Sequence, residues 1–135
     1  MGRYYDGDIS GKFWFAVQSS DDADFFGVQG EARFLSYYFD EDHRKEVHRG
    51  ILECDRNLGR YRKHLDEFFD NHESYNNKKL AEYLDEKEKP HCHSEQEVKG
   101  YLEWYARLRL GKKIYDCILK QGDCSFEAEL WLQPN

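Results

Sequence analysis

The sequence predicts an α+β domain: a small three-stranded antiparallel sheet with a helical hairpin, two long helices and one short, packed on one face in the order β-β-α-α-α-β. Three observations predict it. Val47, Ile51, Cys54, Leu58, Tyr61, Leu65 and Phe68 recur in alternating steps of four and three, the seam of a helix in a hairpin. Residues 124–132 alternate strictly, with Cys124, Phe126, Ala128, Leu130 and Leu132 on one side and Ser125, Glu127, Glu129 and Trp131 on the other. The chain holds 3 Trp, 10 Tyr and 9 Phe, so despite 35% charged residues and a mean hydropathy of -0.98 it has rings enough to fill a core. At 135 residues it reads as one domain, 1–135.

Taken in order, residues 12–18 (Lys-Phe-Trp-Phe-Ala-Val-Gln) read as a first strand, apolar on both faces and therefore central. The acidic loop Ser19 to Asp24 follows and ends in Phe25-Phe26-Gly27, a hydrophobic anchor. A second strand is predicted over 31–39. Asp40, Glu41 and Asp42 then cap a helix that carries the 47–68 seam to about Asp70. Asn71 to Asn77 breaks it. A short helix spans Lys78 to Lys87, and Pro90 with His91-Cys92-His93 makes a polar connector. Ser94 to Glu97 is a capping box opening the last long helix, with Val98, Tyr101, Leu102, Tyr105, Leu108, Tyr115, Ile118 and Leu119 as its apolar stripe. Gly122 closes that helix before the third strand. Glycines 50, 59, 100 and 111 fall inside the long helices and mark either close helix approach or tolerated surface positions.

The net charge of -7 is uneven. The sheet segments, 1–42 and 123–135, carry -9, and the last helix, 94–122, carries +2. An acidic balance of this kind excludes nucleic acid as a direct partner and steers towards basic ones. No apolar run approaches the roughly 20 residues of a membrane span, and the opening residues lack the apolar core of a secretory signal. The expected location is the cytoplasm, where Cys54, Cys92, Cys117 and Cys124 stay reduced.

Several chemistries lack their signatures. Gly7 to Lys12 has three residues between its glycines and no Ser or Thr after the lysine, so it is not a phosphate-binding loop. The Leu80 to Leu102 region is spaced too widely for a helix-turn-helix, and Glu95-Gln96-Glu97 would oppose phosphate. His91, Cys92 and His93 are consecutive and cannot all face one ion without a tight loop. A carboxylate metal site could draw on Asp6 and Asp8, on Asp21, Asp22 and Asp24, or on Glu127 and Glu129, which makes a metal-dependent hydrolase or nuclease the alternative function. No cofactor and no catalytic residue is otherwise indicated.

The best-supported expectation is a non-enzymatic interaction module. Trp14, Asp21, Asp22, Asp24, Glu127, Glu129 and Trp131 are its candidate binding residues, on a sheet side where rings supply contact and acids supply steering. The expected partner is a protein with a basic surface; a second copy of the chain is a further option.

The stretch Gly2-Arg-Tyr-Tyr-Asp-Gly-Asp-Ile-Ser-Gly-Lys-Phe-Trp-Phe-Ala-Val-Gln-Ser-Ser-Asp-Asp-Ala-Asp-Phe-Phe-Gly27 resembles the start of small proteins encoded by phages and large DNA viruses. Leu102 to Leu108 and Phe126 to Leu130 echo it. No functional residue comes with the resemblance. It implies a host-directed interaction protein; in that setting, with the acidic sheet side, the expected target is a host nucleic-acid-binding protein occluded by charge mimicry in the host cytoplasm.

Overall fold

In the computed structural model, which describes residues 4–14, 19–30, 35–72 and 74–129, the chain is α+β with a four-stranded antiparallel sheet and four helices. The strands are β1 (Tyr4–Gly7), β2 (Gly11–Lys12), β3 (Ser36–Asp40) and β4 (Asp123–Ala128), in spatial order β2-β1-β4-β3. The helices are α1 (Arg44–Leu58), α2 (Tyr61–Asn71), α3 (Asn77–Lys87) and α4 (Glu95–Gln121). Among the described residues no helix is long and apolar enough to cross a membrane.

The sheet departs from the sequence reading in three places. It has a fourth strand, β1, whose Tyr-Tyr-Asp-Gly buries only Tyr5 and so shows little alternation to read. Of the strand expected at 12–18, the described residues 12–14 do not form a central strand: among them Lys12 alone is in the ladder, where Gly11–Lys12 pairs at the edge against Tyr4 and Tyr5. Phe13 and Trp14 leave the ladder and turn onto Tyr5, with ring centroids 4.1 and 5.9 Å away. Residues 15–18 lie outside the described residues. Of the strand expected at 31–39, Ser36–Asp40 pairs with β4, and 31–34 lie outside the described residues. β4 keeps its alternation, with Cys124, Phe126 and Ala128 buried and Ser125, Glu127 and Glu129 exposed.

The 47–68 seam is continuous, but two helices carry it. Gly59, at φ 55° and ψ -134°, leaves helical geometry in a region that glycine alone enters without strain. Val47, Cys54 and Leu58 before the break and Leu65 and Phe68 after it remain buried, so one stripe spans the kink. α4 starts and stops where its capping box and Gly122 put it: Ser94 accepts from Glu97 N–H, and Gly122 is left-handed at φ 89°. Its central turns are buried more widely than one stripe, since Ala106, Leu110 and Ile114 are also covered, while Leu119 is exposed.

α4 runs antiparallel to the α1–α2 seam. His48 lies against Tyr115, Ile51 against Gly111, and Tyr61 stacks on Tyr101 at 4.0 Å, so partners descend along α4 as the seam ascends. The close approach is keyed by the Phe25-Phe26 anchor, which forms a single 3-10 turn at Asp22–Phe26. A Cβ at either Gly50 or Gly111 would come within 2.5 Å of the fully buried Phe26 ring. These two glycines are the sites of close approach; beside Gly100 a Cβ meets nothing within 4 Å.

This geometry sets opposite outcomes for one substitution at two helical glycines. Gly111→Ala should lower stability by about 1–3 kcal/mol through overpacking against Phe26. Gly100→Ala should raise it by up to about 1 kcal/mol through helix propensity. Urea unfolding of both variants measures the pair, and equal effects would mean that Phe26 is not wedged.

Candidate functional site

The helices cover the sheet face that carries Tyr5, Tyr37, Phe39, Cys124, Phe126 and Ala128. Among the described residues no helix covers the other face. The register places Asp6 opposite Glu127 and Glu127 opposite Ser36. It also sets Tyr38 opposite Ser125 and Asp40 opposite Asp123. Tyr4 and Tyr38 are each 53% exposed on this face. Glu129 reaches back to accept the Tyr4 N–H at 2.9 Å, and Glu127 accepts from the Ser36 hydroxyl at 3.4 Å.

Two of these cross-strand pairs join like charges, Asp6 with Glu127 and Asp40 with Asp123. Directly opposed like charges destabilise a sheet, by about 0.2–1 kcal/mol for a pair. The resulting negative potential shows in Tyr38, whose phenol is pushed up first by the Asp123 carboxylate and then by slight burial and Asp40. Lys12, paired with Tyr4 on the edge strand, is the one basic residue in these four strands.

The structure sorts the candidate binding residues. Glu127 and Glu129 lie on the open face. Asp21 is exposed in the 19–30 loop and accepts from the Ser19 hydroxyl. Asp22 is not a surface charge: its side chain is 4% exposed and accepts from Arg107 Nε at 2.7 Å. That guanidinium also lies 4.6 Å over the Trp104 ring and 5.0 Å over Phe25. Asp24 is half-buried and accepts from the Tyr37 hydroxyl at 2.6 Å and the Gly30 N–H at 3.0 Å, which ties the loop to β3. Trp14 is on the covered side rather than the open one, beneath Lys113 of α4. Trp131 lies outside the described residues.

Trp14 instead lines a cavity of about 290 Å³ with Asp66, Tyr105, Leu108, Arg109, Lys112 and Lys113. Three cations against one carboxylate make this helix-side hollow basic, opposite in sign to the open face.

The carboxylates of the alternative reading form no group of three in the described structure. Among the described residues, Asp6, Asp21, Asp22, Asp24, Glu127 and Glu129 join no group of three close ligands; Asp8 does, but with two cysteines. Burial pushes Cys54 up to about 12 and raises Cys117 and Cys124.

Reading the sequence missed a row of histidine–carboxylate pairs where the α1–α2 kink meets the α3–α4 connector. His93 is buried, and Asp85 Oδ1 accepts from both its backbone N–H and its Nδ1 at 2.7 Å. With Nδ1 donating, the other ring nitrogen, Nε2, lies in hydrogen-bond contact with the Tyr61 hydroxyl at 2.7 Å. This order matches a nucleophile relay, yet burial first, then Tyr101, pushes the Tyr61 phenol up to about 12, so it keeps its proton. The relay locks the connector in place. His64 meets Glu88 at 2.7 Å and His91 meets Glu97 at 2.8 Å beside it. The only sequence signal was the clustering of His91 and His93.

No family model matches the chain, and neither the curated proteins nor the solved structures include a match to it.

Two outcomes follow from these placements. Asp22→Asn leaves the Arg107 guanidinium without its counter-charge and should cost roughly 3 kcal/mol in chemical unfolding, whereas Asp21→Asn should be near neutral. Three carboxylates around these histidines contribute to the acid limb. Asp85 is held below its ordinary 3.8 first by the His93 N–H, Glu88 below 4.5 first by the His64 ring, and Glu97 below 4.5 first by the Ser94 N–H. Their folded values are depressed, so the unfolded chain takes up these protons first as pH falls. The stabilisation is complete above the ordinary values and is lost as pH drops through the folded ones. The thermal midpoint should therefore fall on acidification from about pH 5 to about pH 3. His64→Gln with His91→Gln should flatten that limb; an unchanged limb would mean the pairs contribute nothing.

Proposed function

We propose that the protein is a non-enzymatic interaction module whose open sheet face docks a basic protein surface. The observation that carries this reading is the placement of like charges opposite one another, Asp6 against Glu127 and Asp40 against Asp123, in a face that also exposes Tyr4 and Tyr38. Repulsion of this kind weakens the free protein and is relieved when lysines or arginines arrive. Tyrosines amid the acids supply ring contact once the charges have brought the surfaces together. The partner class is a nucleic-acid-binding protein, whose cationic site meets rows of carboxylates in place of phosphates. In line with the resemblance of residues 2–27, that partner belongs to a host.

Binding and stability should move in opposite directions on this face. Glu127→Lys places a cation opposite Asp6, so it should raise the thermal midpoint of the free protein while it weakens capture of partners from host lysate. Capture by the unaltered chain should weaken as salt rises past about 0.15 M, where the Debye length is about 8 Å, and added duplex DNA should release the captured protein. Reversing the exposed Glu82 and Glu86 on α3 should leave capture unchanged. If the α3 reversals abolish capture and Glu127→Lys does not, the helices are the working side. Concentration-dependent mass of the isolated chain, lost in Lys112→Glu, would make a second copy the occupant instead.

A further inference from the structure

We propose that Asp8, Cys117 and Cys124 form a binding site for a thiophilic divalent ion of the zinc class, at the corner where α4 passes into β4. The carboxylate oxygen and the two sulfurs lie within 4.8 Å of one another. Tetrahedral zinc with these ligands sets them roughly 3.6–3.8 Å apart, so side-chain movements of about 1 Å close the site.

Three separate elements deliver the ligands. Asp8 follows β1, Cys117 sits in the last turns of α4, and Cys124 is the second residue of β4. Left-handed Gly122, at φ 89°, reverses the chain between the two cysteines and brings residues seven apart into one cluster. Asp8 is already oriented: its Oδ2 accepts from the Ser125 N–H at 2.8 Å and from the Gln121 side-chain amide at 3.0 Å. Such outer partners hold a ligating carboxylate in place and tune affinity.

The donor set selects the ion. Two sulfurs favour zinc, cadmium or cobalt over magnesium and calcium, which take oxygen. Cys117 now donates its S–H to the Asp123 carbonyl at 3.3 Å, so loading the site exchanges two thiol protons for one M²⁺ and forms two metal–sulfur bonds. Asp8 is exposed, so solvent supplies the fourth ligand. The ion would fasten the β1–β2 turn to the end of α4. This site is independent of the open face, whose acids it does not use.

Cobalt and zinc titrations of the reduced 135-residue chain, kept under a phosphine reductant, test the assignment. Co²⁺ should give a saturable thiolate-to-cobalt band at one ion per chain, bleached by Zn²⁺. Cys117→Ser or Asp8→Asn should weaken Zn²⁺ at least tenfold, and Cys92→Ser, at the exposed cysteine, should not. Gln121→Ala should weaken it by about tenfold through loss of carboxylate orientation. Where Cys124→Ser fails to fold, the half-buried Cys117 and exposed Asp8 carry the test. Absence of a saturable band, or one that survives Cys117→Ser and is lost in Cys92→Ser or His91→Ala, overturns the proposal.

Discussion

The Phe26 ring, held between Gly50 and Gly111, is the contact on which the rest of the molecule depends. It joins a loop that follows the edge strand to both helices of the main pair, and it can do so only because neither helix presents a Cβ at that point. Helices whose contact is made by small residues approach closely, and here the gap is then filled by one ring from a third segment. The Asp22–Arg107 ion pair sits at the start of the same 3-10 turn and fixes its orientation. Asp24 completes the fastening by holding Tyr37 on β3. The acidic loop is therefore, through its hydrophobic anchor and two of its acids, an internal brace between sheet and helices.

That reassignment explains which acids remain at the surface. The sequence shows -9 on the sheet segments without showing where each charge points. Asp22 and Asp24 are consumed inside the fold, and Asp8 is turned towards two cysteines. Asp6, Asp123, Glu127 and Glu129 are left on the open face, and Asp40 beside them also caps the turn that opens α1, accepting from the Asp42 N–H at 2.9 Å; among the described residues the four strands hold one lysine. The distinction rests on partners such as Arg107, 85 positions away along the chain. No local pattern carries that information.

What was legible follows the same division between local and distant causes. The α4 termini could be read because Ser94, Glu97 and Gly122 act within one turn of where they stand. The β4 alternation could be read because a core on one side and water on the other impose period two. The α1–α2 kink was hidden because its seam keeps helical spacing straight through Gly59, so the periodicity reports the buried stripe and not the backbone. The aromatic run at 12–18 misled for the opposite reason: its first rings, Phe13 and Trp14, are apolar enough for a central strand but pack on Tyr5 from beside the sheet. His93 went unread because its burial depends on Asp85 and Tyr61, brought together by the connector.

The acidic face persists because β4 has no better register to move to. It is paired on both sides, by β1 and by β3, and its inner residues Cys124, Phe126 and Ala128 are at most 3% exposed. A slip of one residue would separate the opposed carboxylates, but it would also turn Ser125, Glu127 and Glu129 into the core. Burying even one unpaired carboxylate costs several kcal/mol, whereas each like-charge pair costs about 0.2–1 kcal/mol. The smaller penalty is the one the fold retains. The core thus holds the repulsion in place on the surface, and a cationic partner can relieve it without any change of register.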